Sequence, residues 1–408
     1  MTTIDANYKS QPLSLGVKPR VRVSPLAVGL LACLLAIIFS PVIITMINSG
    51  NDYPIHIFWA SLWDTTGMVP VPLPHFLYQV TLIVTAHVLP GGSYDLAAAF
   101  VGIICYVTLG LIIFAIIRPL ITGGSARLRT FIASLTTIVL MLVGPINMLT
   151  WGSQNLSLGY IPSHTYHNPT IVLLKPLALL LFLYAVRLFE SVKSRRTTIL
   201  ACALITFLTS IAKPNYTIAL IPAIGCLVLY ALVRKQSLNW ALLIIGIALP
   251  AAEVLLWQLN YARGSSIGGF MIAPLAVMSL YSPENLLPKF ILSILFPLVV
   301  TLFYWRSALK NTSMKLAWLT FGAGAFYTYF LAESRNYADG NFTWSGQITL
   351  FILFIAATVF LIQQNKEFFM ERRLNRRFVL SLTILLLHLI GGIALYLPHL
   401  GANWRAWL

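Results

Sequence analysis

The sequence has 408 residues, and its composition excludes a water-soluble protein. Charged residues make up 9% of the chain and hydrophobic residues 58%, and the mean hydropathy is +0.84. Soluble globular proteins carry about 25% charged residues. So few charges cannot cover the surface of a soluble protein of this length, and hydrophobicity this high excludes an intrinsically disordered chain. We therefore expect a polytopic membrane protein.

The basic charge of the chain is better explained by membrane topology than by nucleic-acid binding. Lys and Arg number 27 and Asp and Glu 11, which gives a net charge of +16. The cysteines lie inside apolar runs and show no metal-binding spacing, so they predict neither a disulfide nor a zinc site. The apolar run after Arg22 is long enough to span a bilayer and has no small-residue cleavage site, so it predicts a retained anchor.

Runs of about 20 apolar residues, the length that crosses a bilayer as a helix, predict an all-α bundle of about eleven spans. Residues 1–24 are polar and predicted to be a cytoplasmic tail, and residues 25–408 a single transmembrane domain. The predicted spans are 25–48, 94–117, 130–149, 169–188, 197–212, 215–233, 239–258, 289–305, 316–332, 346–363 and 378–397.

The distribution of Lys and Arg predicts the orientation, because short cytoplasmic loops hold the excess of basic residues. With the N-terminus in the cytoplasm, 21 of the 27 basic residues lie inside. The C-terminus, with Trp404 and Trp407, is then outside, and a bacterial plasma membrane is the predicted location. If the short apolar segment 75–89 also crossed, most basic residues would lie outside. This segment is therefore predicted to be an interfacial or re-entrant helix on the outer face.

The first outer loop, residues 49–93, is predicted to begin with an amphipathic helix. Pro54 suits the first turn of a helix, and Ile55, Phe58, Trp59 and Leu62 form an apolar stripe at helical spacing. A helix near 54–66 is expected to lie in the headgroup layer. The alternative is a membrane-surface helix with no further role.

Asp52 lies where the first span ends and this second helix begins. The partial positive charge of a helix N-terminus favours an ionised carboxylate there, and such a carboxylate can serve as a general base towards an acceptor hydroxyl. The alternative is a solvated capping residue.

An acidic residue just beyond the first span, followed by two juxtamembrane helices, resembles the GT-C superfamily of polytopic glycosyltransferases. The resemblance rests on Asn51-Asp52-Tyr53-Pro54-Ile55-His56, on the helices near 54–66 and 75–89, and on the short-looped spans that follow. Its local part covers residues 25–110. It implies transfer of a hexose or pentose from a polyprenyl-phosphate carrier on the non-cytoplasmic side, with Asp52 as the catalytic base. The acceptor is a glycan, a lipid or a protein. It indicates no particular subfamily and no separate soluble domain.

Several basic residues near the outer boundary are candidates for binding the donor phosphate. Lys213 lies at the tip of an outer hairpin, and Lys175 lies below the start of a span. The alternative for Lys213 is an ordinary loop-end lysine, and for Lys175 snorkelling or a contact with a helix carbonyl. Arg335 and Arg263 in the later outer loops complete this group.

The outer loop of residues 333–344 is rich in the polar and aromatic side chains that recognise sugars. Glu333, Asn341 and Trp344 are candidate substrate-binding residues, together with His56 and His167. A surface pair between Glu333 and Arg335 would explain part of this composition.

Five histidines map to the outer side, but no HxxH or HExxH spacing supports a metal site. We therefore predict no cofactor, with a divalent metal as the alternative. Membrane lipids are expected partners and nucleic acid is not. A transporter or flippase, with Glu253 as coupling site, is the main alternative function. An O-antigen-type ligase or polymerase and a non-catalytic envelope assembly protein are further alternatives.

Overall fold

The computed structural model describes residues 24–70, 73–150, 156–263, 269–282, 284–335, 337–371 and 375–401, and within them the chain is predominantly helical. The predicted tail lies outside the described residues except for Ser24, as do Trp404 and Trp407. The helices are α1 (Pro25–Ile47), α2 (Asp52–Thr66), α3 (Leu77–Val88), α4 (Tyr94–Ile117), α5 (Ala126–Leu142), α6 (Pro169–Glu190), α7 (Arg196–Ala212), α8 (Asn215–Val233), α9 (Leu249–Arg263), α10 (Ala276–Tyr281), α11 (Leu286–Phe303), α12 (Trp305–Ala308), α13 (Thr312–Phe330), α14 (Thr343–Gln364), α15 (Lys366–Glu371) and α16 (Arg376–Tyr396).

Within the described ranges, eight helical segments are long and apolar enough to cross a membrane. These are α1, α4, α6, α8, α9 with the π-helical turn Leu242–Ala248 before it, α11, α14 and α16. The chain is thus an integral multi-pass membrane protein. The other three predicted spans overlap the helices α5, α7 and α13. The predicted span 130–149 was wrong at its end, because α5 stops at Leu142 and the residues that follow are not helical. The count of about eleven spans remains a prediction.

Both predicted helices of the first outer loop are present, as α2 and α3. On α2 the apolar stripe faces away from the protein, since the exposed fraction is 48% for Ile55 and 61% for Phe58. The opposite face, with Tyr53 and His56, is buried against the bundle. This arrangement fits a helix that presents its apolar stripe to lipid.

α14 forms the centre of the bundle and is buried along almost its entire length. It packs closely against α13 because glycines remove side chains at both crossings. A Cβ at Gly324 would lie 2.6 Å from the carbonyl oxygen of Ser345, and one at Gly346 would lie 2.5 Å from Thr328 Oγ1. Small residues permit this close approach in membrane bundles. The close packing fixes the position of the end of α13 relative to the start of α14, and the loop that connects these two helices lies there.

Two short strands lie at the end of the bundle where α13 meets this loop. β1 (Phe270–Ile272) pairs antiparallel with β2 (Leu331–Glu333), and Phe270 is opposite Glu333. The pairing connects the segment after α9 to the segment that carries Glu333.

The segment between α5 and α6 is held to the bundle by side-chain to backbone hydrogen bonds. Ser163 Oγ donates to the carbonyl of Val143, and Ser293 Oγ accepts from the backbone N–H of Ile161. His388 Nδ1 lies 2.6 Å from the carbonyl oxygen of Gly144. These contacts bring His164 and His167 to the start of α6.

Candidate functional site

Four helix ends meet at one end of the bundle, and their local sequences explain where each begins. Asn51 caps α2 by accepting from the N–H of Tyr53, and Asn168 caps α6 by accepting from the N–H of Ile171. Pro214 disfavours helical backbone at the preceding residue, so Lys213 is extended and ends α7. The fourth end is the start of α14. Asp52, Asn168, Lys213 and Trp344 thereby come close together.

A chain of hydrogen bonds connects the carboxylate of Asp52 to the ammonium of Lys213. Asn168 Nδ2 donates to Asp52 Oδ2 at 2.6 Å. The Oδ1 of the same amide accepts from Thr170 Oγ1 at 2.6 Å. Thr170 Oγ1 in turn accepts from Lys213 Nζ at 3.2 Å. The capping bond to α6 fixes the orientation of the Asn168 amide, which therefore directs its N–H towards Asp52.

Lys213 is a buried cation with few protein partners. Its side chain is 4% exposed, and its Nζ lies 5.1 Å from the centroid of the Trp344 ring. Within the described residues its one side-chain hydrogen bond goes to Thr170, although an ammonium group has three donors. Burial lowers the pKa of Lys213 to about 8, and the charges of Asp52 and Glu333 oppose that shift. An anion placed here would find an incompletely satisfied ammonium group.

Glu333 and Asn341 lie beside Lys213 and contact each other. Asn341 Nδ2 donates to both carboxylate oxygens of Glu333, at 3.1 and 3.0 Å. Burial raises the pKa of Glu333, while Asn341 and Lys213 act in the opposite direction. Asn215, at the start of α8, donates to the Asn341 carbonyl and to Ser345 Oγ. These contacts hold the loop before α14 against the Lys213 turn.

Three imidazoles surround the same charges. His56 is buried, and its Nδ1 lies within hydrogen-bond distance of Gln79 Nε2. Burial and the charge of Lys213 lower the pKa of His56 to about 3 and also lower that of His75. Burial lowers the pKa of His167, Asp52 raises it and Lys213 lowers it further. At neutral pH, His56 is therefore an uncharged hydrogen-bonding group.

The remaining phosphate-binding candidates lie in different surroundings. Lys175 is buried inside α6, where its Nζ lies 2.9 Å from His164 Nδ1 and 5.2 Å from the centroid of the Phe351 ring. Arg335 is exposed. The side chain of Arg263 lies outside the described residues. Of these candidate cations, Lys213 is the one that a described chain of hydrogen bonds connects to Asp52.

A cavity of about 280 Å³ adjoins this cluster. His167 and Trp344 belong to both, and their rings are 5.4 Å apart. The segment around Tyr160 and His399 also line it. The charged cluster therefore lies at the edge of a space that can hold a small ligand.

Several residues of the cluster were not predicted as site residues. Asn168 and His75 belong to the cluster and were not among the predicted site residues. Thr170 directly follows Pro169, and Asn215 directly follows Pro214. These prolines mark helix starts and are the one local sequence signal for the two residues. Within the described part of the chain, no group of three His, Cys, Asp or Glu residues is arranged to hold a metal ion.

Comparison of the sequence with models of protein families finds no match, and comparison with curated proteins finds none either. Fold and site together define a helical multi-pass membrane protein with a buried cation and a carboxylate beside a cavity at one end of the bundle.

Proposed function

We propose that the protein is a membrane glycosyltransferase that moves a sugar from a polyprenyl-phosphate donor to an acceptor hydroxyl on the non-cytoplasmic side of the membrane. The observation that carries the proposal is the connection of Asp52 to Lys213 through Asn168 and Thr170. It supplies a carboxylate and a cation at one helix-end cluster, next to a cavity.

The carboxylate and the cation do not neutralise each other. Asp52 and Lys213, both within the described residues, form no salt bridge with each other. Lys213 therefore retains donors for an anionic phosphate, and Asp52 retains an oxygen that Asn168 does not occupy. A direct ion pair would have used both groups in holding the structure together.

The chemistry assigned to these groups is an inverting substitution. Asp52 accepts the proton of the acceptor hydroxyl as its oxygen bonds to the anomeric carbon. The bond from that carbon to the phosphate oxygen breaks, and the polyprenyl phosphate leaves with the electron pair. Lys213 stabilises the charge that grows on the leaving phosphate. The proton on Asp52 is then released to water.

The exposed position of Glu253 gives the transporter hypothesis little support. Glu253 lies on α9, within a candidate span, and its side chain faces away from the protein interior. Coupling residues of transporters face the bundle interior or a water-filled cavity.

The test is replacement of Asp52 with Asn, with Asp95→Asn as the matched control. Asp95 is also a carboxylate in the first turn of a helix, α4, and it is exposed. Both variants are purified into proteoliposomes and assayed with radiolabelled polyprenyl-phosphate hexoses and pentoses and with membrane extract as the acceptor source.

Loss of a general base lowers the rate about 10²- to 10⁴-fold. We expect that loss for Asp52→Asn and near-wild-type transfer for Asp95→Asn. Transfer by Asp52→Asn within a few-fold of wild type would remove Asp52 from the mechanism. Absence of transfer by the wild type with every donor would contradict the proposed function itself.

A further inference from the structure

The cavity beside the charged cluster contains polar groups that the protein leaves unpaired. Thr165 lines it, and its buried Oγ1 has no hydrogen-bond partner among the described residues. Gln347, on α14, also lines the cavity, and its buried side-chain Oε1 likewise has no described partner. Buried polar groups are nearly always hydrogen-bonded. Two unpaired groups on one cavity indicate that a ligand bonds to them.

Aromatic rings form much of the remaining wall. Tyr160 and Trp344 line the cavity with Tyr166. Aromatic faces together with a few hydroxyl and amide groups suit a ring that has an apolar face and hydroxyl groups around its edge. The volume, about 280 Å³, is near the lower limit of about 300 Å³ for small-molecule sites. It suits one ring better than an oligosaccharide.

Charges of both signs surround the cavity. Among the described residues that line it, Asp339 contributes a carboxylate and there is no Lys or Arg. Three lysines lie directly behind the wall: Lys213 Nζ is 5.1 Å from the Trp344 ring centroid, Lys175 Nζ is 2.9 Å from His164 Nδ1, and Lys289 Nζ is 5.9 Å from the Tyr160 ring centroid. The aromatic faces and the unpaired polar groups, and not the charge, therefore define the ligand class.

We infer that this cavity binds a single polyhydroxylated ring, the sugar that the proposed function transfers. The inference rests on the proposed function for the fate of the ring. Binding itself needs no donor and no turnover. His167 and Trp344, shared with the charged cluster, place the ring next to Asp52 and Lys213.

The experiment is saturation-transfer NMR on the full-length protein in nanodiscs, with methyl glycosides of hexoses and pentoses as probes. The variants are Thr165→Val and Gln347→Leu, each of which removes one polar group. Gln236→Leu is the control, because Gln236 is exposed in the turn between α8 and the helical segment that leads into α9. Thermal unfolding of each variant verifies that it is folded.

We expect at least one of these glycosides to bind. Loss of one net hydrogen bond weakens binding about 3- to 10-fold, and we expect that change for both variants and none for Gln236→Leu. Binding is also expected to survive in Asp52→Asn, which loses transfer. Failure of all the glycosides to bind, or unchanged binding in both folded variants, would overturn the inference. None of these results depends on whether Asp52 is the base.

Discussion

The low pKa of Lys213 leads to a specific prediction about the pH dependence of transfer. Burial lowers this pKa from 10.5 to about 8, so the ammonium is present below pH 8 and is lost as the pH rises through that value. At pH 9, about a tenth of the molecules carry the charge. If the ammonium holds the donor phosphate, kcat/KM should fall about tenfold between pH 7 and pH 9. The ratio kcat/KM reports the free enzyme, whose pKa is the relevant one.

Substitution separates Lys213 from other groups that titrate in this range. Lys213→Arg retains a positive charge at all these pH values, because the pKa of arginine exceeds 12. Its activity is therefore expected to show no decline between pH 7 and pH 9. Glu333→Gln removes a charge that raises the pKa of Lys213, so the decline should begin at a lower pH than in the wild type. Lys310→Arg, at an exposed position, should behave as wild type.

The measurement is the initial rate of transfer at donor concentrations well below KM, in proteoliposomes buffered from pH 6 to pH 10. A wild-type profile that is flat to pH 9 would refute the reasoning. So would an alkaline decline at the same pH in Lys213→Arg, because the titrating group would then be another residue. Lys213→Met should be low at every pH, since it has no charge to lose.

Three further predictions concern the surroundings of this pair. Asn168→Ala removes both the bond to Asp52 and the cap of α6, whereas Asn168→Asp retains the cap, worth about 1 kcal/mol. Transfer should therefore fall in both variants, but the thermal midpoint should drop mainly in the first; full activity of either would contradict the role of the amide. Gly324→Ala places a Cβ against Ser345 on α14 and should lower the thermal midpoint by several degrees, unlike alanine at Gly322, which has open space around it. Treatment with EDTA should leave transfer unchanged because Lys213 supplies the positive charge, and restoration of a lost activity by Mg²⁺ or Mn²⁺ would contradict that.

Helix positions follow from the sequence because run length and polarity are local properties. All eleven apolar runs overlap helices, although α5 ends at Leu142 within its predicted span, and α2 and α3 are present where the first outer loop predicted them. What the sequence cannot determine is how many of these helices cross the bilayer. α5 and α7 have 17 residues each, which is close to the minimum for a span. Tilt and neighbouring helices decide such cases, and neither is encoded locally.

The members of the site were predictable one by one, but their contacts were not. Asp52 and Lys213 follow from their position at helix ends beside Asn51 and Pro214. The contact between Asp52 and Asn168 joins residues 116 positions apart, and no spacing rule reaches that far. The same holds for Lys175, whose partner His164 became evident only from the path of the segment between α5 and α6.

The arrangement of Asp52 and Lys213 also explains how both groups can carry a charge without forming a direct ion pair. Taking a cation out of water is costly unless other groups compensate. Lys213 donates one hydrogen bond to Thr170, and its Nζ lies over the Trp344 ring. The negative charges of Asp52 and Glu333 stabilise its ammonium from nearby. The compensation is partial, as the lowered pKa shows. A phosphate dianion or monoanion would complete it, and its binding should raise the pKa of Lys213 again. Donor binding should therefore take up protons near pH 8, which calorimetry in buffers of different ionisation enthalpy can measure.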